Sequence, residues 1–125
     1  MAGARAVTAV ATVSVALGGC LLACSVVAGV GQVAVSRAQA DAVADLAALA
    51  AAASLSTGST HAESCERAAA VTAAHTGRPV TLTRCAVAGR DVTVEVRAPV
   101  RLGGRLVRLD PGVGVSGRSR AGPAP

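Results

Sequence analysis

The chain has 125 residues, of which 52% are hydrophobic, and it contains no Phe, Tyr or Trp. Because aromatic rings are the largest apolar units that a core can bury, this composition argues against an enzyme with a deep, shaped pocket, and neither a cofactor nor a small-molecule substrate is expected. The net charge is +5, and every positively charged side chain that contributes to it is an arginine. Since no aromatic side chain is present to stack on bases, nucleic acid is not an expected partner. The arginines are expected to lie near lipid headgroups or in solvent.

The first element is a long apolar segment. No charged residue occurs from Ala6 to Val35. A bilayer core is crossed by about 20 helical residues, and the hydrophobic region of a cleaved signal peptide has only about 7–15. We therefore predict a transmembrane helix over 9–35, preceded by a short N-terminal tail over 1–8.

Two processing sites are alternatives to this anchor. Leu22-Ala23-Cys24 resembles the end of a lipobox, and Ala38-Gln39-Ala40 has the form of a signal-peptidase site. Apolar sequence continues after Cys24 and helical sequence continues through Ala40, so an uncleaved span is preferred.

The short N-terminal tail indicates the orientation in the cell membrane. Arg5 and Arg37 flank the two ends of the span and nearly balance. A short N-terminal tail needs no transport, which favours a single-pass protein with a cytoplasmic N-terminus and an extracytoplasmic C-terminal part.

The span contains a row of small or weakly polar side chains spaced by four residues. Residues at this spacing form one ridge of a helix, and a ridge of small side chains lets another helix approach closely in lipid. We expect a helix-packing face at Thr12, Ala16, Cys20, Cys24, Ala28 and Gln32.

Residues 36–58 are predicted to continue the same helix outside the membrane. Ser36–Ser54 is rich in Ala and Leu and has neither Gly nor Pro. One stripe of this helix carries apolar residues, with Arg37, Asp41 and Asp45 beside it; the stripe comprises Ala38, Ala42, Leu46, Leu49 and Ala53.

Residues 59–110 are predicted to form a small α+β domain. Thr60 and Glu63 have the spacing of a capping box before a helix that reaches His75. The β-branched runs 80–87 and 91–100, joined by a short link at Gly89, predict an antiparallel hairpin. A third strand near 106–109 is weakly indicated, and 111–125 is expected to be a flexible tail. The fold class is thus α+β, with a long transmembrane helix, a small helix and two or three antiparallel strands.

Cys65 and Cys85 are predicted to form a disulfide. A bond across about 20 residues stabilises a small domain by about 3 kcal/mol, and such a bond requires an oxidising compartment. A metal site at His61, Cys65, His75 and Cys85 is the rival interpretation, but its spacings fit no compact ligand pattern. The G-x-G-x-x-G match over 112–117 lacks the strand and helix that a dinucleotide site requires.

The stretch from Ser36 to Ala50, SRAQADAVADLAALA, resembles the signature of the TadE-like proteins of actinobacteria, and more narrowly their helicase/secretion-neighbourhood group. The order of the other features is similar: a membrane helix, two cysteines around a short hairpin, and an Arg-Ala-Gly-Pro ending at 120–123. The residues that carry the resemblance are Arg37, Gln39, Asp41, Asp45, Leu46 and Leu49.

The resemblance implies a pseudopilin-like accessory component of a tight-adherence (Flp) pilus or a related secretion apparatus. Its implied partners are other membrane-embedded components, contacted by helix packing. The chain departs from filament-forming pilins because Gly3 is followed by no acidic residue within the apolar run. The alternative function is a small binding domain that is secreted or lipid-anchored after processing.

Overall fold

The computed structural model describes residues 2–77, 79–100 and 114–123. Its elements, in chain order, are α1 (Ala2–Ser56), α2 (His61–Ala73), β1 (Thr81–Ala88), β2 (Asp91–Pro99) and β3 (Gly114–Ala121). This confirms the predicted α+β class, with a long apolar helix, a small helix and antiparallel strands. The chain divides into two compact units, Met1–Gly31 and Gln32–Pro125.

The first unit is the apolar part of α1. This helix is long and apolar enough to cross a membrane, and none of its most apolar window is buried by the rest of the protein. Its hydroxyl groups donate to backbone carbonyls one turn earlier: Ser14 to Val10 at 2.9 Å and Ser25 to Leu21 at 2.8 Å. Such bonds satisfy polar side chains inside the helix, which is what a lipid environment demands.

The core of the second unit lies between the later part of α1 and the sheet. Its helix side is formed almost entirely by alanine, including Ala40, Ala44 and Ala47, and its sheet side by Val92, Val94 and Val96 of β2. All six residues are fully buried. Ala68 of α2 joins the same cluster, so both helices lie against one face of the sheet.

The three strands are antiparallel in the order β1-β2-β3. The predicted hairpin is present, with Ala88 opposite Asp91 and a positive φ of 62° at Gly89. Glycine adopts this left-handed conformation without the steric cost that a side chain would impose. Because β2 pairs with both other strands, it is the central strand. Its alternating valines point toward α1.

Strand β3 corrects one prediction. Residues 111–125 were expected to be a flexible tail, but Gly114–Ala121 pairs with β2 along its length. The strand is short of large apolar residues because it approaches α1 closely: a Cβ at Gly117 would lie 2.5 Å from the carbonyl carbon of Ala40. The strand predicted near 106–109 lies outside the described residues.

Helix α2 begins as predicted with a capping box. Thr60 is the N-cap; the Glu63 amide donates to its hydroxyl oxygen at 3.3 Å, and the Thr60 amide donates to Oε2 of Glu63 at 2.7 Å. The helix ends at Ala73, two residues before the expected end at His75. Ser54 of α1 donates to Ser64 at 2.9 Å, which ties α2 to α1.

Replacing Gly117 with alanine should destabilise the second unit, because the new methyl group meets the backbone of Ala40 and not a side chain that can move. Overpacking of this kind costs about 1–3 kcal/mol. Urea unfolding of the full chain in detergent measures it. The control is Ser116→Ala on the opposite, exposed side of the same strand; equal stability of the two variants would contradict the close contact.

Glu63 should make stability depend on acid pH. Its pKa is lowered below the ordinary 4.5, first by the bond from the Thr60 amide and then by the bond from the Thr60 hydroxyl. A pKa lowered by folding gives stability that is present above the ordinary value and lost as pH falls through the folded value.

Glu63→Gln should therefore show a shallower loss of stability on acidification than the native chain. Denaturant midpoints measured through this range test the expectation, with Glu66→Gln, on the same helix but outside the cap, as the control. If Glu63→Gln follows the native curve at every pH, the cap contributes no such dependence.

Candidate interaction surfaces

The predicted disulfide between Cys65 and Cys85 is present. It joins α2 to β1, with the two Cα atoms 5.9 Å apart. Both sulfur atoms belong to the bond, which leaves the rival metal site without its two thiolates. The role of this pair is therefore structural, since it fixes the small helix against the sheet.

The predicted helix-packing row lies on the exposed surface of α1. Cys20 and Cys24 are free thiols, and the Thr12 hydroxyl donates to the carbonyls of Thr8 and Ala9 at 3.0 and 2.9 Å. Because its hydroxyl hydrogen is satisfied within the helix, Thr12 can meet apolar surroundings without an unpaired donor. The remaining members, Ala16, Ala28 and Gln32, are exposed as well.

The family-like block from 36 to 50 divides into two faces. On its buried side, Ala40, Ala44, Ala47 and Ala48 belong to the core cluster with the valines of β2, and Ser36 and Val43 are buried as well. Its outward side carries Arg37, Asp45, Leu46 and Leu49, while Asp41 is half-buried. Gln39 lies at the border, and its buried Oε1 accepts no hydrogen bond from the described residues.

The outward face of α1 in the second unit is an apolar surface, which we call the helix stripe (Ala38, Ala42, Leu46, Leu49 and Ala53). Leu46 and Leu49 are 58% and 60% exposed, and no other large hydrophobic side chain in the described part of 36–123 is exposed. Asp41 and Asp45 flank the stripe. Arg37 lies 4.0 Å from Asp41, but the Arg37 side chain is 69% exposed and that of Asp41 48% exposed, so this pair contributes little.

The outward side of the sheet is basic, and we call it the sheet face. Its side chains alternate with the buried valines of β2, as the pleat of a strand requires. Across the strands, Glu95 lies opposite both Arg84 and Arg118, and Thr93 lies opposite both Ala86 and Arg120. The sheet face comprises Arg84, Ala86, Asp91, Thr93, Glu95, Arg97, Arg118 and Arg120.

Two ion pairs join described residues of the sheet face. Arg118 lies 3.4 Å from Glu95, and Arg120 pairs with Asp91. The residues of the sheet face itself comprise four arginines and two carboxylates. The sequence shows the same bias, since residues 84–120 contain eight arginines and three acidic residues, whereas the remainder of the chain is balanced.

The sheet face is not predicted from the sequence, because β3, which supplies part of it, lies in the segment expected to be a tail. The signal is present in the alternation of β3, where Ser116, Arg118 and Arg120 are exposed and Gly117, Ser119 and Ala121 are not. The inward residues are small because α1 is close, and the strand therefore lacks the alternating large apolar residues that identify β2.

No protein-family model, no curated protein and no solved structure matches the chain.

Removing the disulfide by Cys65→Ser with Cys85→Ser should lower the free energy of unfolding by about 3 kcal/mol, because the unfolded chain gains the entropy of an open loop. The matched control is Cys20→Ser with Cys24→Ser, which changes two free thiols on the apolar helix and should leave the second unit unaffected. Unfolding of both double variants in detergent decides the matter. Equal stability of the two would contradict the structural role of the bond.

Proposed function

We propose that the chain is a single-pass, membrane-anchored, pseudopilin-like component of a tight-adherence (Flp) pilus or a related secretion apparatus. It acts by helix packing and assembly and not by catalysis. The observation that carries the proposal is the surface of α1: an exposed apolar segment long enough to span a bilayer, with a row of small side chains along it. In lipid such a row is a means of close helix contact.

The identity of the apparatus rests on the resemblance of the 36–50 block to TadE-like proteins. The accessory role, as opposed to that of a processed filament subunit, rests on the missing acidic residue between Ala6 and Val35. The proposed partners are other membrane-embedded components of the apparatus.

The disulfide supports an extracytoplasmic second unit. Cys65 and Cys85 are bonded, and structural disulfides persist in oxidising compartments. With one span, a cytoplasmic N-terminus is part of the same proposal.

The alternative function, a secreted or lipid-anchored binding domain, requires processing at Ala40 or Cys24. Ala40 is fully buried within α1, and its backbone is the part of the helix that Gly117 approaches. Cleavage there would cut through the core of the second unit, so release at Ala40 is disfavoured. The intact mass of the membrane-extracted protein distinguishes the three forms, since each has a different N-terminus; a mass matching cleavage at either site would contradict the anchor.

The packing row can be tested by filling it. Cys20→Leu, Cys24→Leu and Ala28→Leu together should lower the yield of membrane proteins cross-linked to the chain in native membranes by about fivefold or more, because larger side chains keep a partner helix at a distance. Quantitative mass spectrometry of the cross-linked material measures the yield.

The matched control is Ala11→Leu, Ala23→Leu and Ala34→Leu, which adds leucine to other rows of the same helix. Loss of partners in the row variant alone supports the proposal. Equal yields from the two triple variants would remove the row as a packing face.

A further inference from the structure

We propose that the second unit binds a second copy of this chain head to tail, with the helix stripe of one copy packed on the sheet face of the next. The inference rests on the proposed assembly function and deepens it, because it identifies a partner and the two surfaces that meet. It concerns only Gln32–Pro125, and it is separate from the packing row in the apolar segment.

The two surfaces lie on opposite sides of the second unit. The alanine side of α1 and the valine side of β2 pack against each other in one buried cluster. The helix stripe lies on the side of α1 that faces away from this cluster, and the sheet face lies on the side of the sheet that faces away from it. A contact between unlike surfaces of identical chains is heterologous and leaves one surface of each end copy open for another.

The apolar chemistry of the two surfaces is complementary. Leu46 and Leu49 project from the stripe and are mostly exposed. On the sheet face, Ala86 and Thr93 are cross-strand neighbours and form a small uncharged area beside the row of Arg84, Glu95 and Arg118. Leucine side chains placed over that area would also contact the aliphatic stems of the arginines, which bury readily while the guanidinium stays in water.

The charges are complementary as well. Asp41, Asp45 and Arg37 flank the stripe with two negative charges and one positive charge, and the sheet face holds four arginines and two carboxylates. Contact of stripe with stripe would bring acidic flanks together, and contact of sheet face with sheet face would bring arginines together. Like charges opposed across an interface are strongly disfavoured. The mixed contact is the arrangement that avoids both.

A charge-exchange experiment tests the contact. The helix variant is Asp41→Asn with Asp45→Arg; the sheet variant is Arg84→Gln with Arg97→Glu. Each makes the two surfaces of one copy alike in charge, so each alone should self-associate about tenfold more weakly than the native full chain. Mixed in equal amounts, the variants again offer opposite charges at both contacts, and association should return to within about twofold of the native value.

Self-association is measured on the purified full chain in detergent, by energy transfer between labelled copies over a dilution series. Glu66→Arg is the control, since it changes the net charge as Asp45→Arg does but lies on α2; it should associate as the native chain does. Circular dichroism and an intact disulfide confirm that each variant is folded. Leu46→Ser with Leu49→Ser should weaken association without any rescue by mixing.

The inference is overturned if the native chain does not self-associate, or if both charge variants associate as the native chain does. It is also overturned if the helix variant associates more strongly with the native chain than with the sheet variant, because that result would indicate contact between helices. None of these depends on the membrane partners. If the row variant keeps its partners while charge exchange behaves as expected, the packing-row proposal fails and the head-to-tail contact stands.

Discussion

The close approach of α1 to β3 is the constraint on which the second unit depends. Without aromatic residues, the core gains its apolar burial from valines on one side and alanines on the other, and a core of small side chains is filled only if the backbones come near each other. At Gly117 the two backbones come so near that a Cβ would lie 2.5 Å from the carbonyl carbon of Ala40. The alanine repeat of the 36–50 block is thus explained by packing, and not only by helix propensity.

This packing also determines which residues remain outside. Once the face of α1 that holds Ala40, Ala44 and Ala47 is committed to the sheet, Leu46 and Leu49 must point away from it, although leucine would normally be the better core residue. The same layer arrangement turns the arginines of β2 and β3 to the far side of the sheet. Two outward surfaces of different chemistry are therefore a direct consequence of a core made of small residues.

Much of this architecture could be predicted from the sequence because its signals are local. An uncharged run over 6–35, followed by an Ala- and Leu-rich stretch without Gly or Pro over 36–54, specifies α1. The Thr60–Glu63 spacing specifies the start of α2, and Gly89 between β-branched runs specifies the hairpin. The pairing of Cys65 with Cys85 followed from their positions on those elements. β3 could not be recognised, because its inward residues are small for a reason that lies in α1, far away in the chain. The division of the alanine-rich helix into faces was also hidden, since alanine occurs on every side of it and gives no clear period. The surfaces were consequently predicted only in part: the stripe was found without its exposure, and the sheet face was missed.

The most direct test of this account is native-state hydrogen exchange of the full chain in detergent. If residues 40–51 of α1 are part of the core, their amides should exchange as slowly as those of β2 and should open with them in one cooperative step. Ser116→Ala should leave this pattern intact, whereas Gly117→Ala should speed the exchange of 40–51 and of β2 together. Fast exchange throughout 40–51 beside a protected β2 would show that this part of α1 is a connecting helix and not the second layer of the domain.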